Sequence, residues 1–210
     1  MTFRRFLIWF LIILVEVVIV TVALSSDTIS RAASREREMV VSTFGEEMAS
    51  SIIKRTDVVY KRYFFDSGWI KGSYEAFVPS RDELSDSRSL ADMGRPMFKV
   101  MDQKLRTFWT AVYYGTQRMT ILMMWLPYLM PFVVAVIVDG MATRKKRQFN
   151  YEYANPVVFG AMSHAVLALI SFPFLYFLLP FPVNPLVSPI WIGVFCLALF
   201  AMISHTQRLA

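Results

Sequence analysis

Four blocks of apolar residues, each long enough to cross a bilayer, constrain this chain more than any other feature. They run from Phe6 to Leu24, Thr120 to Val138, Val157 to Leu179 and Leu186 to Ile203. About twenty apolar residues in a helix span the hydrocarbon core. Inside lipid, only a helix or a closed barrel satisfies all of its own backbone polar groups. The 210-residue chain is 56% hydrophobic, above the ~45–50% of soluble domains, and the excess sits in these blocks. The predicted fold class is all-α integral membrane: four transmembrane helices with a long helical hairpin projecting from the first and second spans. Arg4 and Arg5 precede the first block, as they would in a signal peptide. Its apolar run is longer than the ~7–15 residues of a cleavable one, and "ALSSDTIS" is a poor cleavage site, so the block reads as a retained anchor.

The predicted organisation is a first transmembrane helix over 1–24, an extracytoplasmic helical hairpin over 25–118 and a second transmembrane helix over 119–139. A basic cytoplasmic loop over 140–156 follows, and 157–210 holds the third and fourth transmembrane helices. Short loops rich in Lys and Arg stay in the cytoplasm. Arg4 and Arg5, Arg144 to Arg147, and Arg208 all fall on one side of four spans, while "LPFPVNPL" on the other side is uncharged. The expected location is the bacterial inner membrane, multi-pass, with both termini cytoplasmic. The segment from Ser25 to Met119 carries fifteen Lys/Arg against thirteen Asp/Glu and is too long for its charges to set orientation.

The cluster Arg144, Lys145, Lys146 and Arg147 has three readings. It can be a topology determinant resting on anionic membrane lipid, at ~1 kcal/mol per cation, a docking surface for another protein, or a nucleic-acid contact. The last is not expected, because affinity for nucleic acid scales with the number of phosphates neutralised and four cations without a scaffold reach few.

Between Thr28 and Phe65 there is no proline and one glycine, Gly45. Ile29, Ala33, Val40, Phe44, Met48, Ile52, Val59 and Tyr63 recur mostly at spacings of four or seven, which predicts one face of one helix. A second stripe, Met97, Met101, Leu105, Phe108 and Val112, continues to Gly115 and Met119 at heptad-like spacing. Pro96 suits the first turn of that helix. "FVPSRDELSDSRSLADMGRP" between the two is polar and rich in turn residues and reads as a mobile tip. The stripes can pack within one chain or between subunits. "YFFDSGWIKGSYEAF", with Trp69, Tyr74 and Phe77, reads as a recognition knob or as packing where the first helix stops.

In the back half, Asn155-Pro156 and Asn184-Pro185 each place a capping residue before a first-turn proline. The three prolines of "LLPFPVNPL" make a tight connection between the last two spans. Glu16 lies in the middle of the first span, where an ionised carboxylate costs several kcal/mol by some estimates. The candidate intramembrane polar partner within this chain is His164, which matches Glu16 only loosely in depth; a protonated Glu16 facing another helix, or pairing with a partner's cation, is the preferred expectation. A single cysteine, Cys196, and two histidines leave no metal-ligand spacing, and no cofactor is expected. No phosphate-binding glycine loop, GxSxG or HExxH is present, so the chain is not expected to be an enzyme. On residues alone, a small transporter or channel subunit stays open, as does an envelope scaffold that oligomerises through its outer hairpin.

From about Met119 onward the sequence resembles a known family. The resemblance lies in Asp139-Gly140 at the end of a span, the basic run Arg144 to Arg147, the connection from Phe149 to Pro156, and the proline-rich turn from Leu179 to Leu186. It is to the small inner-membrane proteins of integrating conjugative elements, otherwise a domain of unknown function. That resemblance implies a non-enzymatic inner-membrane subunit of a conjugative DNA-transfer (type IV secretion) system, encoded beside the coupling ATPase and supporting it. It implies as partners that ATPase or other secretion-system membrane subunits, in a hetero- or homo-oligomer. Arg144, Lys145, Lys146, Arg147, Tyr151 and Tyr153 would then be the contact with the cytoplasmic motor.

Overall fold

A computed structural model describes residues 11, 15, 18, 26–77, 88–179 and 181–206, and the side chains of 88–96 lie outside the description. Its elements are helix α1 (Ser26–Tyr60), a π-helical turn (Lys61–Phe65), α2 (Trp69–Phe77), α3 (Arg88–Phe149), α4 (Pro156–Leu178) and α5 (Val187–Ser204). Among the described residues the secondary structure is entirely helical. Among the described residues, three helical stretches are long and apolar enough to cross a membrane: Met97–Phe149 within α3, then α4 and α5. The predicted first span, with Glu16, lies outside the described residues apart from Leu11, Val15 and Val18, which are helical.

The chain divides into two compact units. One comprises Met1–Thr120 with Phe174–Asn184, the other Ile121–Pro173 with Pro185–Ala210.

In the first unit, α1 is broken where the sequence reading ran one face straight through. Gly45 sits at φ 80, ψ 165, a region essentially restricted to glycine. The halves on either side meet α3 in opposite senses. In the first half, Ile29 joins Ala111 and Val112 in the core, while Glu36 bonds Arg118, so residue numbers rise together. In the second half, Asp57 meets Tyr113 and Tyr60 meets Trp109, so one rises as the other falls. Gly45 therefore reverses the chain, and the single arm of the expected two-helix hairpin becomes two. The buried positions shift accordingly: Ile29, Ala33, Glu36 and Val40 before the break, Ala49, Ile52 and Thr56 after it. Met48 and Tyr63, assigned to the predicted face, are exposed. Gly45→Ala is expected to cost about 1–3 kcal/mol, measured as a lower melting temperature of the purified protein. The unoccupied space around this glycine leaves backbone strain as the cause.

The core of this unit is Ile29, Ala111, Val112 and Leu178, ringed by Tyr60, Phe64, Phe108, Trp109, Tyr114 and Phe177. Tyr60 packs edge-on against Tyr113 at 5.3 Å, and Phe64 against Trp109 at 5.9 Å, geometry that the ring quadrupoles favour. "SGWIKGSYEAF" folds back on this ring: Gly68 at φ 81 ends the π turn, and Trp109 Nε1 donates to Ser73 Oγ at 2.9 Å. The polar tip is shorter than predicted. Helix α3 already begins at Arg88, so Pro96 is not in its first turn.

In the second unit, Pro173 interrupts the hydrogen bonding of α4. Having no N–H, it leaves the carbonyl four residues back, that of Leu169, without its helical partner. Trp191 of α5 fills the place, with Nε1 donating to Leu169 O at 3.0 Å, and its ring stacks on Phe172 and Phe195. Gly140, at the end of the predicted second span, does not end the helix. It lies inside α3, where a Cβ would meet Ile203 at 3.1 Å, so it is a point of close helix approach. Asn155 caps α4 as its spacing predicts, Oδ1 accepting from Val157 N at 3.0 Å. Helix α5 begins at Val187, two residues after Pro185, and the residue before it, Leu186, makes no side-chain cap bond.

Candidate functional site

The basic run is helical. It forms the last turns of α3, which ends at Phe149, and only 150–155 connect to α4, so the segment predicted as a loop is mostly helix. The helical repeat sorts the four cations. Lys145 and Lys146 are exposed, while Arg144 and Arg147 are half-buried. Arg147 Nη1 donates to the carbonyl of Ser204 at 3.2 Å, placing a cation on the carbonyl end of α5, where the helix dipole favours it. Its Nε stands 4.0 Å from Glu152 Oε2, and Glu152 also accepts from Asn150 Nδ2 at 3.2 Å.

The chain leaves α3 through a bond from Glu152 N to Arg147 O at 2.9 Å. This tight exit holds Tyr151 at φ 53, the left-handed region that residues other than glycine seldom occupy. It also turns the aromatic side chains outward: Phe149 is 81% exposed, Tyr151 97% and Tyr153 78%. Arg144, Arg147, Tyr151, Tyr153, Ser204 and Thr206 line a groove of about 350 Å³. The result is a surface of exposed lysines beside exposed aromatic rings, over Arg147, which is bonded to the end of α5. Tyr and Arg are the residue types that protein interfaces concentrate.

The other predicted positions fall elsewhere. Of the stripe, Met97 is exposed, Met101 and Leu105 are half-buried, Phe108 packs on the core, and Val112 belongs to it. Its upper part is therefore intramolecular packing. His164 is exposed on α4, and its suggested partner Glu16 lies outside the described residues. Among the described residues no three His, Cys, Asp or Glu side chains converge as metal ligands would. Burial raises the Tyr60 phenol above its ordinary pKa, with Tyr74 adding to the effect, so it stays a protonated donor to Trp109 O.

The strongest polar cluster was not anticipated. Glu36 and Arg118 are 2% and 3% exposed. Arg118 Nε donates to both Glu36 oxygens at 2.9 and 3.1 Å, and Nη2 to Oε2 at 2.6 Å. The remaining donors reach backbone carbonyls: Nη1 to Tyr176 at 3.2 Å and Leu179 at 2.6 Å, Nη2 to Phe181 at 2.8 Å. The guanidinium also lies over the Tyr176 ring at 5.7 Å. One arginine thus ties α1 and α3 to the last turn of α4, whose final carbonyls have no helical partner. A sequence signal existed. Glu36 falls on the stripe Ile29, Ala33, Val40, and Arg118 on Ala111, Gly115, so each is a charge at a core position of a helical repeat, and buried charges come paired.

Residues 26–208 match one family model, DtrJ-like, described as IncC plasmid conjugative DNA transfer protein DtrJ-like. No curated protein and no solved structure matches the chain.

Proposed function

Because the chain belongs to the DtrJ-like family of IncC plasmid conjugative DNA transfer proteins, we propose that it is a non-enzymatic inner-membrane subunit of the DNA-transfer machinery, assembling with the coupling ATPase and supporting it. The family match over nearly the whole chain carries this reading. The membrane part is supported by apolar helices that leave large hydrophobic side chains in the open: Phe132, Val134 and Val138 on α3, Ile170 and Phe174 on α4, Ile190 and Leu197 on α5. Water-exposed surfaces rarely carry so much contiguous apolar area. With the first block as a fourth span, both termini and the end of α3 lie in the cytoplasm. Lys145, Lys146, Tyr151 and Tyr153 then face the cytoplasmic motor, with Arg144 and Arg147 shaping the surface beneath.

The test is an affinity pull-down from gently solubilised donor membranes. Wild type is expected to bring down the coupling ATPase. A variant with Lys145, Lys146, Tyr151 and Tyr153 replaced by Ala is expected to lose it and to transfer DNA poorly. These positions are chosen because Arg147 also holds the end of α5. Retention of the ATPase by the variant would move the contact to the membrane helices and leave the cations as a topology signal. Absence of any motor from the wild-type sample would sink the reading.

A further inference from the structure

The first unit carries an open groove of about 820 Å³ lined by Phe64, Trp69, Phe77, Phe108, Val112 and Phe177, within the ~300–1,000 Å³ range of small-molecule sites. Its polar lining atoms are already engaged. Ser67 Oγ donates to Tyr63 O at 2.5 Å. Ser73 Oγ donates to Ile70 O at 2.7 Å and accepts from Trp109 Nε1. Both serine protons are spent within the fold, so neither hydroxyl donates to a ligand, and the lining offers an occupant mainly hydrocarbon contact. One wall is short, amphipathic α2. Its Lys71 and Glu75 pair on the exposed side at 3.6 Å, while Trp69 and Phe77 face the groove at 70% and 55% exposure.

The opposite wall says what that hydrocarbon is. Phe177 and Leu178 are the last residues of α4, a helix apolar along its length. Phe174, one turn earlier, is 62% exposed. The apolar lining therefore continues directly into the surface of a span, at the end where the chain leaves the membrane. Rings rich in Trp and Tyr gather at that depth, and Trp69, Trp109, Tyr60, Tyr113 and Tyr114 all surround the groove or its core. We propose that this groove binds an acyl chain of a bilayer phospholipid, with α2 lying in the interface as its cover. The inference uses the reading of α4 as a span and is independent of the docking surface on the other unit.

Gly72 offers a clean probe. It lines the groove, and a Cβ there would meet nothing within 4 Å, so Gly72→Leu fills the groove without pressing on the fold. The full chain, carrying p-benzoylphenylalanine in place of Phe77, is reconstituted in phosphatidylethanolamine–phosphatidylglycerol vesicles, irradiated and weighed by intact mass spectrometry. The expected product is the protein plus one phospholipid, and the adduct is expected to be lost in Gly72→Leu at unchanged melting temperature. A parallel sample with the photoprobe at Phe132 labels lipid whenever α3 is inserted. Lipid adducts at 132 but not at 77 would overturn the groove assignment. An adduct at 77 to a second copy or to another protein would do so as well. Failure to label lipid at 132 would sink the membrane reading itself.

Discussion

Arg118→Ala is expected to destabilise the solubilised protein by about 3–5 kcal/mol, read as a large fall in melting temperature by circular dichroism. The variant leaves the Glu36 carboxylate buried with its donors gone, and it strips three carbonyls near the end of α4 of a donor. Each unsatisfied buried acceptor costs about 1–3 kcal/mol. Arg118→Lys should recover little, because an ammonium cannot present the guanidinium fork that reaches the carboxylate and the carbonyls together. Pairing Arg118→Met with Glu36→Leu should recover part of the loss, since a buried ion pair can be exchanged for apolar residues at small cost. The buried carbonyl of Tyr176 would still lose its guanidinium donor. The pair is buried, so wild-type stability should change little between low and moderate salt. If Arg118→Ala melted like wild type, the cluster would not be a structural tie.

Gly115→Ala is expected to cost about 1–3 kcal/mol, and Gly115→Leu at least the upper end of that range, by overpacking. A Cβ at 115 would collide with the backbone carbonyl of Phe177 and reach its ring at 3.0 Å. Backbone cannot swing aside as a flexible side chain can, so the last turn of α4 must move. That turn supplies the acceptors of Arg118, so the two sites should be coupled. Gly115→Ala combined with Arg118→Ala should cost less than the sum, by about 0.5–3 kcal/mol. Simple additivity in melting experiments would show that the close approach and the ion pair act separately. Gly72→Ala, with open space at its Cβ, serves as the control for helical glycine replacement.

Much of this was legible in the sequence because it depends on local composition. The apolar blocks that became α4, α5 and the span within α3 were plain, since about twenty apolar residues have few other uses. The Asn155 cap was plain because a cap is a contact between near neighbours. The stripe ending at Val112 met the packed part of α3 only at Phe108 and Val112. The exposed rings at Tyr151 and Tyr153 and the adjoining cations were marked as the candidate surface, but the sorting of the exposed lysines from the anchored Arg147 was not. That sorting needs the end of α5 beside Arg147, a contact from a residue far along the chain.

Hydrophobic length is a property of a run of residues, so composition located the apolar stretches of α3, α4 and α5. Tertiary structure alone decided that Gly45 reverses the chain. A lone glycine is tolerated in many helices, and only the opposite senses of the Ile29 and Tyr60 contacts show a turn. It decided likewise that Glu36 and Arg118 belong together. Eighty-two positions separate them, and no periodicity links two charges until the helices that carry them are packed.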